Sequence, residues 1–161
     1  MKNKESFKIN YDFPEIKDKE FVNHLQVFYS KITRNPYFKY LKPETHLQIQ
    51  CILYMKFKYP NVLVHHSPNE SRRSTYERWF VSLFGIKSGC PDILIFKGVD
   101  KIFCGLAIEL KYGKNKTTDN QNKFLNQLSE NGWQVNVIYT IEDFIFIVDN
   151  YLNDYQDEEL F

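Results

Sequence analysis

The sequence predicts an α/β domain in which helices pack on a small mixed β-sheet, and three observations point there. Hydrophobic spacing switches along the chain between helical and strand periods, in the order α, α, β, β, β, α, β, α. The run CPDILIFKGVDKIFCGLAIELKYG holds two β-rich segments around a turn at Gly98–Lys101. Apolar residues make up 43% and aromatics 17% of the 161 residues, enough for one buried core.

Phe21, Leu25, Phe28 and Ile32 recur at helical spacing, and Asn35-Pro36 ends that pattern. Pro43 suits the first turn of a second helix, about Glu44 to Lys58, which Tyr59-Pro60-Asn61 terminates. Val62 to His66 reads as a short strand. A polar loop, SPNESRRSTYER, and an aromatic stretch from Trp79 to Phe84 lead into the two β-rich segments. Thr118-Asp-Asn-Gln121 is a capping-box pattern, opening a helix with Phe124, Leu125 and Leu128 on one face. Gly132 stands where a helix C-cap favours glycine. Gln134 to Tyr139 alternates as a strand, and Thr140-Ile-Glu-Asp143 starts a last helix with Phe144, Ile147, Val148, Tyr151 and Leu152 inward.

Composition excludes several classes. The chain is too apolar to be disordered, and no run approaches the ~18–20 apolar residues of a membrane span. The opening MKNKESFKINYDF carries charges where a secretory signal would be apolar, so a cytoplasmic protein is expected. Cys51, Cys90 and Cys104 fit neither a disulfide framework nor a zinc motif and are expected as small core residues. The net charge of +1 hides a split: residues 1–133 hold all 21 Lys and Arg against 13 acids, whereas residues 134–161 hold seven acids and no Lys or Arg. A basic body suits contact with phosphates, but it equally suits a solvated surface.

Chemistry concentrates in the paired β-segments. Asp92 and Glu109 have numbers summing to 201, so a turn between Asp100 and Lys101 sets them opposite each other in the ladder. Opposed residues have Cβ atoms about 4.5–5.5 Å apart. Two carboxylates there repel unless a cation lies between them, which is how a divalent-metal site is made. Glu109 and Lys111, two apart, share one face of the strand. The backbone carbonyl of Leu110 is a further candidate ligand, and Lys111 can orient water or stabilise phosphate charge. An isolated E-x-K is more often a routine surface pair; a PD before one β-run and E-x-K closing the next change the odds.

GCPDILIF, AIELKYG, and Gln121 with NKFLNQLSENGWQVNVIY resemble the virus-type replication-repair nuclease (VRR-NUC) domain of the PD-(D/E)xK superfamily. That family's leading-helix Glu and Gln are matched by Glu44 and Gln48 in PETHLQ, and its Pro-Asn by Pro68-Asn69. Its G-x-PD corresponds to Gly89, Pro91 and Asp92, its E-x-K to Glu109 and Lys111, and its helix-opening glutamine to Gln121. A leucine pair and a glycine follow in Leu125, Leu128 and Gly132. The resemblance spans residues 43–152, leaving 1–42 as an N-terminal helical accessory segment and 153–161 as an acidic tail.

It implies a restriction-endonuclease-like core and an Mg²⁺- or Mn²⁺-dependent DNA endonuclease. Asp92, Glu109 and Glu44 would bind metal, Lys111 would stand at the attacking water, and Gln121 would brace the site. Glu44 is also an ordinary acid at a helix start, Gln121 also an ordinary cap, and Gln48 a candidate supporting residue. Asn69, Arg72, Arg73, Arg78 and Lys87 before the site, and Lys114, Lys116 and Lys123 after it, are candidate phosphate contacts. Trp79 and the tyrosines are expected in the core unless one stacks on unpaired bases. The four histidines are read as structural.

Stand-alone members resemble Holliday-junction resolvases, acting as homodimers on branched DNA in repair, which implies a phage or viral source and a host-cytoplasm location. Phe21, Leu25 and Phe28 are then a candidate dimer surface, unless that helix packs on its own domain. A flap, single-strand or defence nuclease, or a non-catalytic nucleic-acid-binding module, are the alternatives. The acidic tail is a solubilising segment or a mimic of DNA.

Overall fold

In the computed structural model, residues 10–67, 74–84, 87–99 and 102–153 are described. Asp18 opens the first helix, α1 (Lys19–Ile32), its carboxylate accepting from the backbone N–H of Glu20 and Phe21, both at 3.0 Å. A 3₁₀ segment, Pro36–Tyr40, links it to α2 (Pro43–Lys58), which has Pro43 in its first turn. Strand β1 (Val64–His66) follows, then α3 (Thr75–Leu83), β2 (Ile93–Ile95), β3 (Gly105–Leu110), α4 (Asp119–Glu130), β4 (Trp133–Ile138) and α5 (Ile141–Asn153).

The sheet order is β1-β2-β3-β4, with the first two pairings antiparallel and β3–β4 parallel. Parallel neighbours need a crossover, and α4 supplies it. All six residues of β3 are buried, as a central strand covered on both faces requires. Leu106, Ile108 and Leu110 join a core with Leu47, Cys51, Tyr54 and Met55 of α2 and Phe144, Val148 and Tyr151 of α5. The alternate residues Ala107 and Glu109 point to the opposite face, towards α4. Asp149 pins α5 to α2, accepting from the hydroxyls of Tyr54 (2.7 Å) and Tyr59 (2.8 Å) and from Lys58 Nζ (2.7 Å).

Three sequence expectations change here. The aromatic stretch around Trp79 is helical: Ser74 Oγ accepts from Glu77 N (3.2 Å) while Ser74 N donates to Glu77 Oε2 (2.6 Å), a reciprocal cap that starts α3. Trp79 and Tyr76 are not core residues but 58% and 67% exposed, their ring centroids 6.2 Å apart. Cys104 is exposed in the loop before β3, whereas Cys51 is fully buried.

The candidate dimer surface on α1 is an internal one. Phe21 and Leu25 are wholly buried, and the Phe21 ring packs on Tyr54 (5.0 Å) and Phe57 (5.7 Å) of α2. Burying such side chains stabilises the fold by about 1.5–3 kcal/mol each, so they do not turn out towards a partner. His46 of α2 is buried beside Tyr29, whose hydroxyl lies 3.3 Å from its Nδ1, and burial lowers the imidazole pKa. The turn at Asp100–Lys101, Pro68 and the tail from Asp154 onward lie outside the described residues. Among the described residues no helix is long and apolar enough to cross a membrane.

Candidate active site

The register Ile93↔Ile108 continues one step to bring Asp92 opposite Glu109, at the end of β3 where α4 begins its crossover. The backbone of Asp92 is clamped from β1. Its carbonyl accepts from Ser67 N at 3.0 Å and lies 3.2 Å from His66 Nδ1. Its side chain is aimed by β3, because Oδ2 accepts from Leu110 N at 2.8 Å. In extended chain a residue's N–H and C=O leave the same edge, so the Leu110 carbonyl also leaves on the Asp92 side.

Glu109 is fully buried. Its Oε1 accepts from Lys111 Nζ at 2.5 Å and from Gln121 Nε2. Its Oε2 is buried with no hydrogen-bond partner among the described residues. Burial pushes the Glu109 carboxyl up to about 7; the Lys111 hydrogen bond and charge pull it back, and the charges of Asp92 and Glu44 raise it further. Lys111, itself only 7% exposed, stands beside three acidic groups, Glu109, Asp92 and Glu44.

A buried carboxylate oxygen with no partner is costly, and a hard cation is the partner that would satisfy it. The donors offered are all oxygens, which suits Mg²⁺ or Mn²⁺ rather than a thiolate-loving metal. Among the described residues no three His, Cys, Asp or Glu side chains form a ready cage. Two opposed carboxylates and a carbonyl still fit Mg²⁺, which usually takes one or two protein carboxylates and fills its other positions with water and substrate oxygens.

Gln121 does both of the things its position allowed. Its Oε1 accepts from Thr118 N at 2.9 Å, completing the capping box, and its Nε2 reaches Glu109. The two roles separate by mutation. Thr118→Ala should cost about 1 kcal/mol in denaturant unfolding and leave cleavage within a few-fold. Gln121→Ala should cost a similar amount and also slow cleavage by about 10–100-fold. Equal cleavage rates in the two variants would reduce Gln121 to a cap.

Gly89 fixes the distance between the Asp92 loop and α4. It adopts φ +89°, and a Cβ there would lie 2.5 Å from the carbonyl carbon and oxygen of Asn120 and 2.8 Å from Gln121 N. Gly89→Ala is expected to destabilise the fold by about 2 kcal/mol or more, because both the backbone angle and the helix start must give. Thermal and denaturant unfolding would measure it, and an unchanged midpoint would contradict the close approach.

Other expected residues fall further out. Gln48 contacts the His66 imidazole through Nε2, and so reaches the site through the histidine that sits on the Asp92 carbonyl. His66 and Ser67 were not singled out by sequence, since a His-His pair in a strand carries no metal-ligand spacing. Only the pairing of β1 with β2 sets them over Asp92. Cys90 is half-buried, its Sγ 3.2 Å from Ser67 Oγ. Lys87, Lys114, Lys116 and Lys123 are exposed on the segments before and after the carboxylates. Asn69, Arg72 and Arg73, and the side chain of Arg78, lie outside the described residues.

Comparison with known proteins agrees with this geometry. A family model described as the VRR-NUC domain matches residues 42–141. A solved structure described as a VRR_NUC domain protein is 26% identical, with a TM-score of 0.57, covering 70% of this chain and 92% of that one. The search of curated proteins returned no match. Since the matched residues make up well over half of the sequence and hold the opposed acids, the buried lysine and the bracing glutamine, the chain belongs to the VRR-NUC domain family of nucleases.

Proposed function

We propose that this chain is an Mg²⁺- or Mn²⁺-dependent endonuclease of branched DNA, resembling the Holliday-junction resolvases and working as a homodimer. The observation that carries the reading is the pair Asp92 and Glu109, opposed across β2 and β3, with one buried Glu109 oxygen lacking a hydrogen-bond partner among the described residues. Asp92, Glu109 and the Leu110 carbonyl would hold the cation, and Glu44, whose charge already acts on Glu109 from α2, would close on it when it binds. When bound, it would neutralise the crowded carboxylates, acidify water and offset charge on the phosphate.

The chain's own groups set up the rest. Lys111 has three N–H bonds, one committed to Glu109, leaving two for the attacking water and a non-bridging phosphate oxygen. Gln121 and Lys111 together lock the Glu109 rotamer, so no reorganisation is needed when substrate arrives. Lys87, Lys114 and Lys116 would hold the flanking backbone by charge, which makes binding salt-dependent. Residues 43–152 are read as the nuclease core, and residues 1–42 as an accessory segment whose described part, through Phe13, Phe21 and Leu25, packs into it.

A second reading, a flap or single-strand nuclease, has its own support in the exposed Tyr76–Trp79 pair, since exposed aromatics are platforms for unpaired bases. A cleavage panel of labelled four-way junction, flap, single strand and duplex, with Mg²⁺ or Mn²⁺ or chelator, decides between them. Symmetric paired nicks in the junction, together with a dimer in sedimentation, are the expected result. Cutting confined to flap or single strand would replace the resolvase reading, and no cation-dependent cutting of any substrate would end both.

A further inference from the structure

We propose that the outer face of β1 and β2 carries an unpaired DNA strand away from the cut, with His65 on a phosphate and Phe96 under a base. The proposal rests on the nuclease reading and specifies its substrate as a strand that is unpaired on one side of the scissile bond.

The register puts this surface and the carboxylates on one face of the sheet. Alternate residues of a strand share a face, so Asp92, Leu94 and Phe96 look out on the side where Glu109 points towards α4. Leu94 pairs with His65 on β1 and with Ala107 on β3, so His65 stands on that same side. His66 turns the other way and meets Gln48 of α2. One row further the Phe96 N–H donates to the Leu63 carbonyl at 2.9 Å, and Gly105 lies beside Trp133. Exposure changes across this face. Ala107 and Glu109 are fully buried, whereas His65, Leu63 and Phe96 reach solvent.

The exposed side chains stand at useful distances from the chemistry. His65 lies one row, ~7 Å, from Asp92 by the rise of a strand. That step is close to the length of one extended nucleotide. A strand with its scissile phosphate at Asp92 and Glu109 would therefore bring the next phosphate to the imidazole, whose ring N–H can donate to it.

Phe96 stands two rows, ~13 Å, from Asp92 and is 46% exposed. Its ring is fixed against Trp133, the centroids 5.4 Å apart and the planes at 89°. Gly105 makes the contact possible, because a Cβ there would lie 2.5 Å from Cζ3 of Trp133. Glycine inside a strand weakens it and marks a close approach. Here it clears the floor of the sheet for an aromatic corner, with Leu63 67% exposed beside it. A ring held in one orientation at the surface is a platform for the face of a base. Duplex DNA keeps those faces stacked on one another, so the platform favours an unpaired strand.

The first test needs no turnover. The full chain, in chelator, binds a labelled single-stranded oligonucleotide or a duplex of equal length, followed by anisotropy. Phe96→Leu keeps an apolar cover on the sheet but has no ring. It should weaken single-strand binding about tenfold at an unchanged melting temperature, with duplex binding unaltered, and Phe96→Tyr should bind like the parent. His65→Ala should weaken single-strand binding a few-fold. His65→Lys should steepen the fall of log affinity with log salt by about 0.7, the increment for one phosphate of a single strand.

The second test steps an abasic site away from the cut in a cleavable substrate with Mg²⁺ or Mn²⁺. One position, two or three nucleotides out, should slow cleavage in the parent and have no effect in Phe96→Leu. Equal single-strand binding by Phe96→Leu and the parent would overturn the platform, and an unchanged salt slope in His65→Lys would take His65 off the phosphate. Loss of binding in Trp79→Ala alone would move the stacking to α3 and overturn the proposal. Self-association lost in Phe96→Leu, with DNA binding intact, would make this face a surface for a second copy instead. Cleavage that ignores both Phe96 and His65 would retire the proposal and leave the nuclease. Ring-dependent binding by a protein that cuts nothing would retire the nuclease and leave a single-strand-binding face.

Discussion

Asp92→Asn is expected to lose at least about a thousandfold of the cleavage rate and to melt close to the parent protein. The asymmetry follows from what each carboxylate oxygen does. Asp92 Oδ2 accepts from Leu110 N at 2.8 Å, and an asparagine carbonyl accepts that bond equally well. The charge that would hold a divalent cation against Glu109 is lost, however, and an amide replaces it poorly. Asp92→Ala should lose activity to the same degree but also cost about 1–3 kcal/mol, because Leu110 is 1% exposed and its N–H would have no acceptor in place of Asp92. Rates in Mg²⁺ and Mn²⁺, read beside denaturant unfolding of the three proteins, separate the two effects. Retention of parental activity within tenfold in Asp92→Asn would remove Asp92 from the metal site and with it the proposed chemistry.

The carboxylate pair was legible because it depends on local rules. A hairpin's register follows from where its turn lies, so two residue numbers sufficed to oppose Asp92 and Glu109. The Thr118–Gln121 capping box was equally readable, being a four-residue pattern with its own hydrogen bonds. What sequence left open was whether Gln121 caps or braces, and the answer is that its two amide atoms divide the work. The same box at Ser74–Glu77 went unread, since no clean apolar period follows it and an Arg-bearing loop precedes it.

Long-range relations were harder. Helical spacing in α1 says that one face is apolar, not what that face meets, so Phe21 and Leu25 read as well for a dimer as for α2. His66 meets Asp92 only through β1–β2 pairing, and Phe13 meets Tyr112 and Tyr139 around one cleft only through tertiary folding. Neither relation has a sequence spacing to betray it.

The Glu109 contribution to the stability of the chain should fall as pH rises from about 4.5 to about 7, and a divalent cation should restore it most on the alkaline side. In the unfolded chain Glu109 titrates near the ordinary 4.5, whereas burial raises it to about 7 in the fold. Between those values the folded state binds the extra proton, so unfolding becomes easier with every step upward. Above about 7 the full penalty is present, on the order of 3 kcal/mol for a shift of this size. His46 works the other way: burial lowers its pKa, so the fold loses stability as pH drops below the unfolded histidine value near 6.5. Two opposing slopes therefore overlap below about pH 6.5, and the contribution of Glu109 is isolated by comparison with Glu109→Gln, which keeps His46. The difference between the two melting curves should widen up to about pH 7 and then stay level. Protons and cations compete for the same carboxylates, so Mn²⁺ should raise the melting temperature of the parent far more at pH 8 than at pH 5. An equal rise at both pH values, or the same rise in Glu109→Gln, would mean that the cation binds elsewhere. The buried Glu109 oxygen, without a hydrogen-bond partner among the described residues, would then be a cost of folding that no ligand relieves.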